Sequence, residues 1–210
     1  RRIRLGSLEP RIITEEFAEA LSRMPKICPH FHLSLQSGCD ETLKRMNRRY
    51  TAGEYLEGCR ILRRYFQDPA LTTDVIVGFP QETEEEFEAS RKMIETADFY
   101  ETHIFKYSRR KGTRADRMEG QVPEQVKAER SRVLIAMGKE HKQRYMEKFL
   151  GQEVEILFEE TAVIGGETWW IGHTREYLKA AAKSEKNLEN QIKRGIVGGF
   201  AEEGVFICAI

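Results

Sequence analysis

Cysteine is scarce and scattered. Cys28, Cys39, Cys59 and Cys208 lie far apart in 210 residues, and no two have C-x-x-C spacing. That argues against a disulfide-stapled fold and against a metal centre built from these thiols alone, and they are expected to be reduced. Long apolar runs are missing too: none approaches the roughly 20 residues of a membrane-spanning helix, and no signal peptide is expected. No membrane partner is therefore expected. Net charge is zero, with 34 Lys+Arg against 34 Asp+Glu, so the total predicts no polyanion partner. There is no internal repeat or low-complexity tract. There is also no initiator Met, and the strand-like Arg2-Ile3-Arg4-Leu5 stands at the very start, a pattern expected of a fragment lacking an N-terminal portion.

The charge that cancels overall is locally polarised. Glu41 to Phe66 holds seven Lys/Arg against three acids, and Lys106 to Arg117 holds six against one. Glu82 to Glu101 reverses this, with eight acids against two bases. The basic stretches could meet phosphate or be solvated helix faces, and both readings stay open on counts alone.

Hydrophobic spacing predicts four strand–loop–helix units. Arg2 to Leu5 alternates as a strand, and Gly6 to Pro10 turns. Thr14 is placed to cap a helix with Phe17, Leu21 and Met24 on one face. His30 to Leu35 alternates as a second strand broken at Gln36-Ser37-Gly38, and Asp40 is placed to cap a short helix with Leu43 and Met46. Thr51 with Glu54 forms a capping box, opening a helix that shows Tyr55, Cys59, Leu62 and Phe66. Asp74 to Gly78 reads as a buried third strand ending in a turn at Phe79-Pro80-Gln81. Thr83 with Glu86 caps an acidic helix whose inner face is Phe87, Ile94 and Ala97. Thr102 to Tyr107 is a fourth strand, followed by the basic loop Ser108 to Arg114. Pro123 opens a long helix toward Leu150, with Val126, Val133, Met137 and Tyr145 on one side.

Four such units predict a parallel α/β arc, part of a TIM-like barrel. After Gly151 the texture changes to short alternating strands at Glu153–Phe158, Thr168–Ile171, Leu178–Ala182, Gly195–Phe200 and Gly204–Ile210, a small all-β barrel. The glycines of Gly195–Phe200 suit a sharp bend.

In a parallel sheet, ligands sit at the carboxyl ends of the strands. Those ends carry Ser7 and Glu9, then Gln36 and Ser37, then Asp74 and Gly78, then Tyr107, Ser108 and Arg109. Hydroxyls, an amide, carboxylates and a guanidinium suit a polar ligand with ribose hydroxyls, an amino-acid end and a flat base. No nucleophile–base pair is among them. His30 and His32 alternate, and only one is expected to face inward. Glu9 and Asp74 read equally well as plain cap or strand-end acids.

The runs IRLGSLEP, HFHLSLQSGCDETLKRMNRRYT, TTDVIVGFPQETEEEF and HIFKYSRRKGTRA, in that order across residues 2 to 158, resemble the radical S-adenosylmethionine methylthiotransferases of tRNA. The SLEP, RIRL and HFHLSLQSGCD elements look most like the bacterial branch acting on threonylcarbamoyladenosine, with the isopentenyladenosine branch second. The resemblance implies a partial radical SAM barrel, residues 1–141, followed by an OB-like TRAM domain, residues 142–210, that binds RNA. Gly172-His173-Thr174 with Tyr177-Leu178 looks like a TRAM element. It implies transfer of a methylthio group to C2 of a modified adenosine beside the anticodon, in the cytoplasm, with S-adenosylmethionine and two 4Fe-4S clusters.

One such cluster is held by C-x-x-x-C-x-x-C and the other by an N-terminal three-cysteine domain, and neither motif is in this chain. The chain alone is therefore expected to be inactive, with no catalytic or metal-ligating residue of its own. Carried over residue by residue, the cofactor wall is Glu9, Gln36, Ser37, Asp74, Ile76, Val77, Gly78 and Tyr107. Ile76 and Val77 would face the adenine, and Gly78 would let backbone approach it. RNA or carboxylate contacts fall to Arg45, Arg49, Arg109 and Arg114, with Arg175, Lys179, Lys193 and Arg194 in the second domain. Two departures matter: Arg114 stands where Pro is usual, and Gln81 replaces a glycine, which is expected to favour negative φ at that turn. The rival readings are a non-catalytic RNA-binding module on an inert scaffold, and a phosphate-binding aldolase-type barrel using SRRKGT.

Overall fold

A computed structural model describes residues 1–210. Four parallel strands, β1 (Ser7–Leu8), β2 (His30–Leu33), β3 (Ala70–Val77) and β4 (Glu101–Lys106), form one sheet in chain order. Between them lie α1 (Glu15–Ser22), α2 (Asp40–Arg45), α3 (Ala52–Tyr65) and α4 (Glu84–Ala97). Parallel neighbours need such crossovers, and the helices bury one face of the sheet. Its core joins Phe31, Leu33, Leu71, Val75 and Val77 to Tyr55, Leu62, Phe87 and Ile94 from the helices. Both expected capping boxes close: Thr51 with Glu54, and Thr83 with Glu86.

Several expectations shift. The first strand is Ser7–Leu8, where a turn was expected, and Ile3 makes only an isolated bridge to Ile27. The Arg2–Leu5 alternation is used instead to reach the second domain. Met24 lies beyond α1 and is half exposed. Asp40 does not cap α2; its carboxylate accepts the Ala52 N–H at the start of α3. The third strand is eight residues long, because Ala70 to Thr73 pair with β2 and β4 as well. Gln81 takes φ +67, the left-handed region, in place of the negative φ expected. The Gly120 carbonyl accepts its N–H at 2.8 Å and holds it there.

The long helix α5 (Glu124–Glu147) packs along β4, where Gly138 lies directly against the Thr102 hydroxyl. Its buried face is Lys127, Arg130, Ser131, Leu134, Gly138, His141, Tyr145 and Met146, so Val126, Val133 and Met137 are only half-buried. The division expected between residues 141 and 142 falls inside this helix. Tyr145, Met146 and Phe149 enter the second core, and the chain turns at Gly151, φ +75.

The remaining strands, β5 (Glu153–Ile164), β6 (Glu167–His173), β7 (Lys179–Ala182), β8 (Ile192–Glu202) and β9 (Val205–Ala209), close a barrel in the order β5-β6-β7-β9-β8. Closure removes exposed edges. At Gly172 a Cβ would overlap the Leu157 carbonyl, so only glycine permits this β5–β6 crossing. Register shifts at Val197/Gly199 and Phe200/Glu202 bend β8 as its glycines suggested.

Candidate functional site

Side chains alternate across a strand. With one face of the parallel sheet buried, the other presents Ser7, His32, Thr72, Asp74, Ile76, His103 and Phe105. The register confirms that they share a face: Ser7 pairs with His32, His32 with Thr72, Asp74 with His103, and Ile76 with Phe105. No helix covers this face, and Phe105 is 53% exposed. Asp74 Oδ2 lies 3.3 Å from His32 Nε2, and His32 Nδ1 is 3.0 Å from Thr72 Oγ1. The His32 and His103 rings stack with centroids 6.0 Å apart. His30 and His32, two residues apart, share a side of β2, so the expectation that only one faces inward fails. His30 is capped edge-on by Tyr177, and burial with Arg4 nearby pushes its pKa down to about 4.

The structure divides the expected cofactor wall. Asp74 and Ile76 stand on the open face. Val77 does not: one residue further along, it points into the helical core, 1% exposed. Gln36, with φ +66, exchanges backbone hydrogen bonds with Asp74 and Ile76 beyond the end of β2. Ser37 is buried, and its hydroxyl is engaged by Ser90 and the Cys39 N–H rather than presented at the rim. The Glu9 carboxylate accepts the Arg11 N–H at an exposed turn. Tyr107 packs edge-on to Phe79, and its hydroxyl is buried without a partner.

Gly78 is buried beside Lys127. Its N–H donates to Glu82 Oε1 at 2.9 Å, and a Cβ there would overlap Lys127 Cγ. Glu82 in turn pairs with Arg130, which also reaches the Glu82 carbonyl and Glu84. Burial pushes the Glu82 carboxyl above its usual range, against the opposing pull of the Gly78 N–H and Arg130. Lys127 Nζ donates to the Tyr107 carbonyl at 3.1 Å. Sequence reading missed both bases. A charged face on α5 looks solvated until Glu82, 48 residues away, is seen opposite.

The expected RNA-contacting bases divide likewise. Arg45 is spent on Glu86 and Thr42, an ion pair that holds Glu86 below the usual carboxylate range despite partial burial. Arg175 donates to the Pro25 and Ile27 carbonyls at 2.8 and 2.7 Å and so seats the barrel on the sheet domain. Arg2 does the same from the other side, to Glu155 and the His173 carbonyl. Between them Tyr177 stacks on His173 at 4.3 Å and lies under Arg4. Arg109 pairs with Asp116, and Arg194 with Glu153. Arg49, Arg114, Lys179 and Lys193 are exposed and make no ion pair. Arg48, Arg110, Lys111 and Arg117 share that condition. Arg48 and Arg49 adjoin Tyr50, whose hydroxyl donates to the Ser34 and Leu35 carbonyls at the carboxyl end of β2. The Arg110–Arg117 loop follows β4 at the same end of the sheet.

The four thiols are free, and three are buried. Burial lifts Cys59 to about 12 and Cys208 to about 11, far from the thiolate form that binds iron. No three cysteines meet; the one group of three metal-ligating side chains is His32, Asp74 and His103. The chain's own residues therefore do not fit a 4Fe-4S cluster. No helix is long and apolar enough to cross a membrane.

Comparison with known proteins matches residues 2–94 to the radical SAM superfamily. The chain is 38% identical over 213 residues to the threonylcarbamoyladenosine tRNA methylthiotransferase MtaB of Thermotoga maritima, covering 99% of this chain and 46% of that protein. It is 40% identical to the Bacillus subtilis protein of that name, covering 91% of the chain and 43% of the relative. It is 39% identical to a tRNA-2-methylthio-N(6)-dimethylallyladenosine synthase of Aquifex aeolicus, over 91% of the chain and 42% of the relative. The chain thus spans about half the length of the curated relatives it matches. Among solved structures, the radical SAM enzyme coproporphyrinogen III oxidase (HemN) of Escherichia coli aligns with TM-score 0.56 and 19% identity, over 67% of this chain and 32% of that one, a likeness of fold. Residues 2–94 are thus radical SAM sequence, and the chain as a whole is similar, along 91–99% of its length, to tRNA methylthiotransferases of Thermotoga, Bacillus and Aquifex.

Proposed function

We propose that residues 1–210 supply the cofactor wall and the RNA-binding surface of an enzyme that transfers a methylthio group to C2 of N6-threonylcarbamoyladenosine beside the anticodon of a tRNA in the cytoplasm. One observation carries the reading: an open polar sheet face and a rim of unpaired cations share the carboxyl end of the same four strands. S-adenosylmethionine with two 4Fe-4S clusters would supply the radical and the sulfur, the cluster ligands lying outside these 210 residues. The open face fits the organic cofactor. Asp74 offers a carboxylate to ribose hydroxyls or an ammonium, Ile76 and Phe105 offer an apolar wall to the base, and the Tyr107 hydroxyl is a buried polar atom in want of a partner. Gln36 fixes the strand end beside them. Glu82 and Arg130 hold the turn after β3 in place.

Arg49 and Arg114 would meet phosphate at the rim, and Lys179 and Lys193 from the barrel, which serves as a TRAM-type RNA-binding domain. The dimethylallyladenosine substrate is the second reading, favoured by the Aquifex relative. Fluorescence anisotropy with an anticodon stem-loop RNA tests the surface. Affinity should fall steeply with salt, and Arg49→Glu with Arg114→Glu should flatten the log–log slope by about 0.7–0.9 per lost phosphate contact. A flat salt response in the parent chain would contradict the proposal.

A further inference from the structure

We propose that His32, Asp74 and His103 form a mononuclear site for a divalent transition-metal ion of the zinc type on the open face of the sheet. The three side chains come from three adjacent strands, and their ligand atoms all lie within 4.8 Å of one another. Register places the three residues side by side on one face. Asp74 and His103 are directly paired residues, and His32 is paired with Thr72, two residues before Asp74 on the same face. Two imidazoles and one carboxylate are the donor set of many zinc and ferrous centres. Tetrahedral zinc at about 2.0–2.1 Å from each donor needs donor atoms about 3.3–3.4 Å apart. His32 Nε2 and Asp74 Oδ2 already stand at 3.3 Å. The His103 donor, on an exposed side chain of β4, lies within 4.8 Å of both.

A supporting shell is present. Thr72 Oγ1 lies 3.0 Å from His32 Nδ1, so that on metal binding it would accept the Nδ1 proton and leave the Nε2 lone pair for the ion. That is how second-shell partners orient ligating histidines. His32 is well shielded and Asp74 about one-third exposed, so two donors are preorganised and the remaining positions face the open side. The site shares Asp74 with the cofactor wall but not its chemistry: it contains no sulfur ligand and does not depend on the iron–sulfur clusters.

Titration of the 210-residue chain with Co2+, followed by its visible d–d absorption and by competition with Zn2+, tests the site. One equivalent should bind, with intensified bands of a low-coordinate ion that Zn2+ abolishes. His103→Ala, at an exposed position outside the core, should remove the bands while leaving the far-ultraviolet circular dichroism unchanged. Thr72→Val should keep them but weaken binding about 10–100-fold. Absence of a stoichiometric absorption change in the parent chain, or full binding by His103→Ala, would overturn the assignment.

Discussion

Arg130 Nη1 donates to Glu82 Oε1 at 2.7 Å, and the same carboxylate oxygen accepts the Gly78 N–H at 2.9 Å. The two side chains are 7% and 2% exposed. One buried ion pair thus ties α5 to the turn that ends β3. Removing one partner leaves the other charge buried, so Arg130→Leu should cost about 3–5 kcal/mol in urea unfolding. A loss below about 1 kcal/mol would show that the pair is not needed to hold the turn.

Gly78 and Gln81 both take positive φ in that turn, with opposite consequences. Gly78→Ala must pay left-handed strain and push Lys127 aside at its Cγ, and about 2–4 kcal/mol of destabilisation is expected. Gln81→Gly relieves the same strain at an exposed residue and should stabilise by up to about 1 kcal/mol. Thermal unfolding of both variants checks the contrast.

Acid should weaken the chain through His30. In the unfolded state its pKa is near 6.5, and in the fold burial holds it at about 4. A depressed pKa means the unfolded state binds the proton first. The stabilising contribution is whole above pH 6.5, declines below it, and is lost by pH 4. That is about 3 kcal/mol across the window. His30→Phe, which keeps a ring against Tyr177 and cannot titrate, should flatten the unfolding free energy between pH 6.5 and 4 relative to the parent.

Much of this was legible in the sequence. Capping signals at Thr51/Glu54 and Thr83/Glu86 mark helix starts because both partners lie three residues apart. The order of motifs gives the parallel sheet. What escaped depends on distant partners. Period-two alternation alone forbids Ile76 and Val77 from sharing a face, yet which of them faces the helices follows only from the packing. His103 joins the site through its register with Asp74, which no local signal encodes. Arg45 and Arg175 look like RNA contacts until Glu86 and the Pro25 and Ile27 carbonyls are found opposite them.

The rim can be separated from the scaffold by substitution. Arg49→Ala should weaken stem-loop binding by about 1 kcal/mol or less, with the loss fading at high salt and stability unchanged. Arg175→Ala should instead lower stability, by about 2 kcal/mol, because two charge-assisted bonds to carbonyls are lost. Paired anisotropy and unfolding measurements distinguish them. The reverse pattern would exchange their roles.

The central claim is tested most directly in tRNA itself, by mass spectrometry of nucleosides from cells with and without the gene that encodes this chain. Loss of 2-methylthio-N6-threonylcarbamoyladenosine, with N6-threonylcarbamoyladenosine accumulating in its place, is the expected result, and it should recur when Asp74→Asn replaces the parent residue. Unchanged methylthio nucleosides after deletion would contradict the account, and loss confined to the dimethylallyl nucleoside would contradict its substrate.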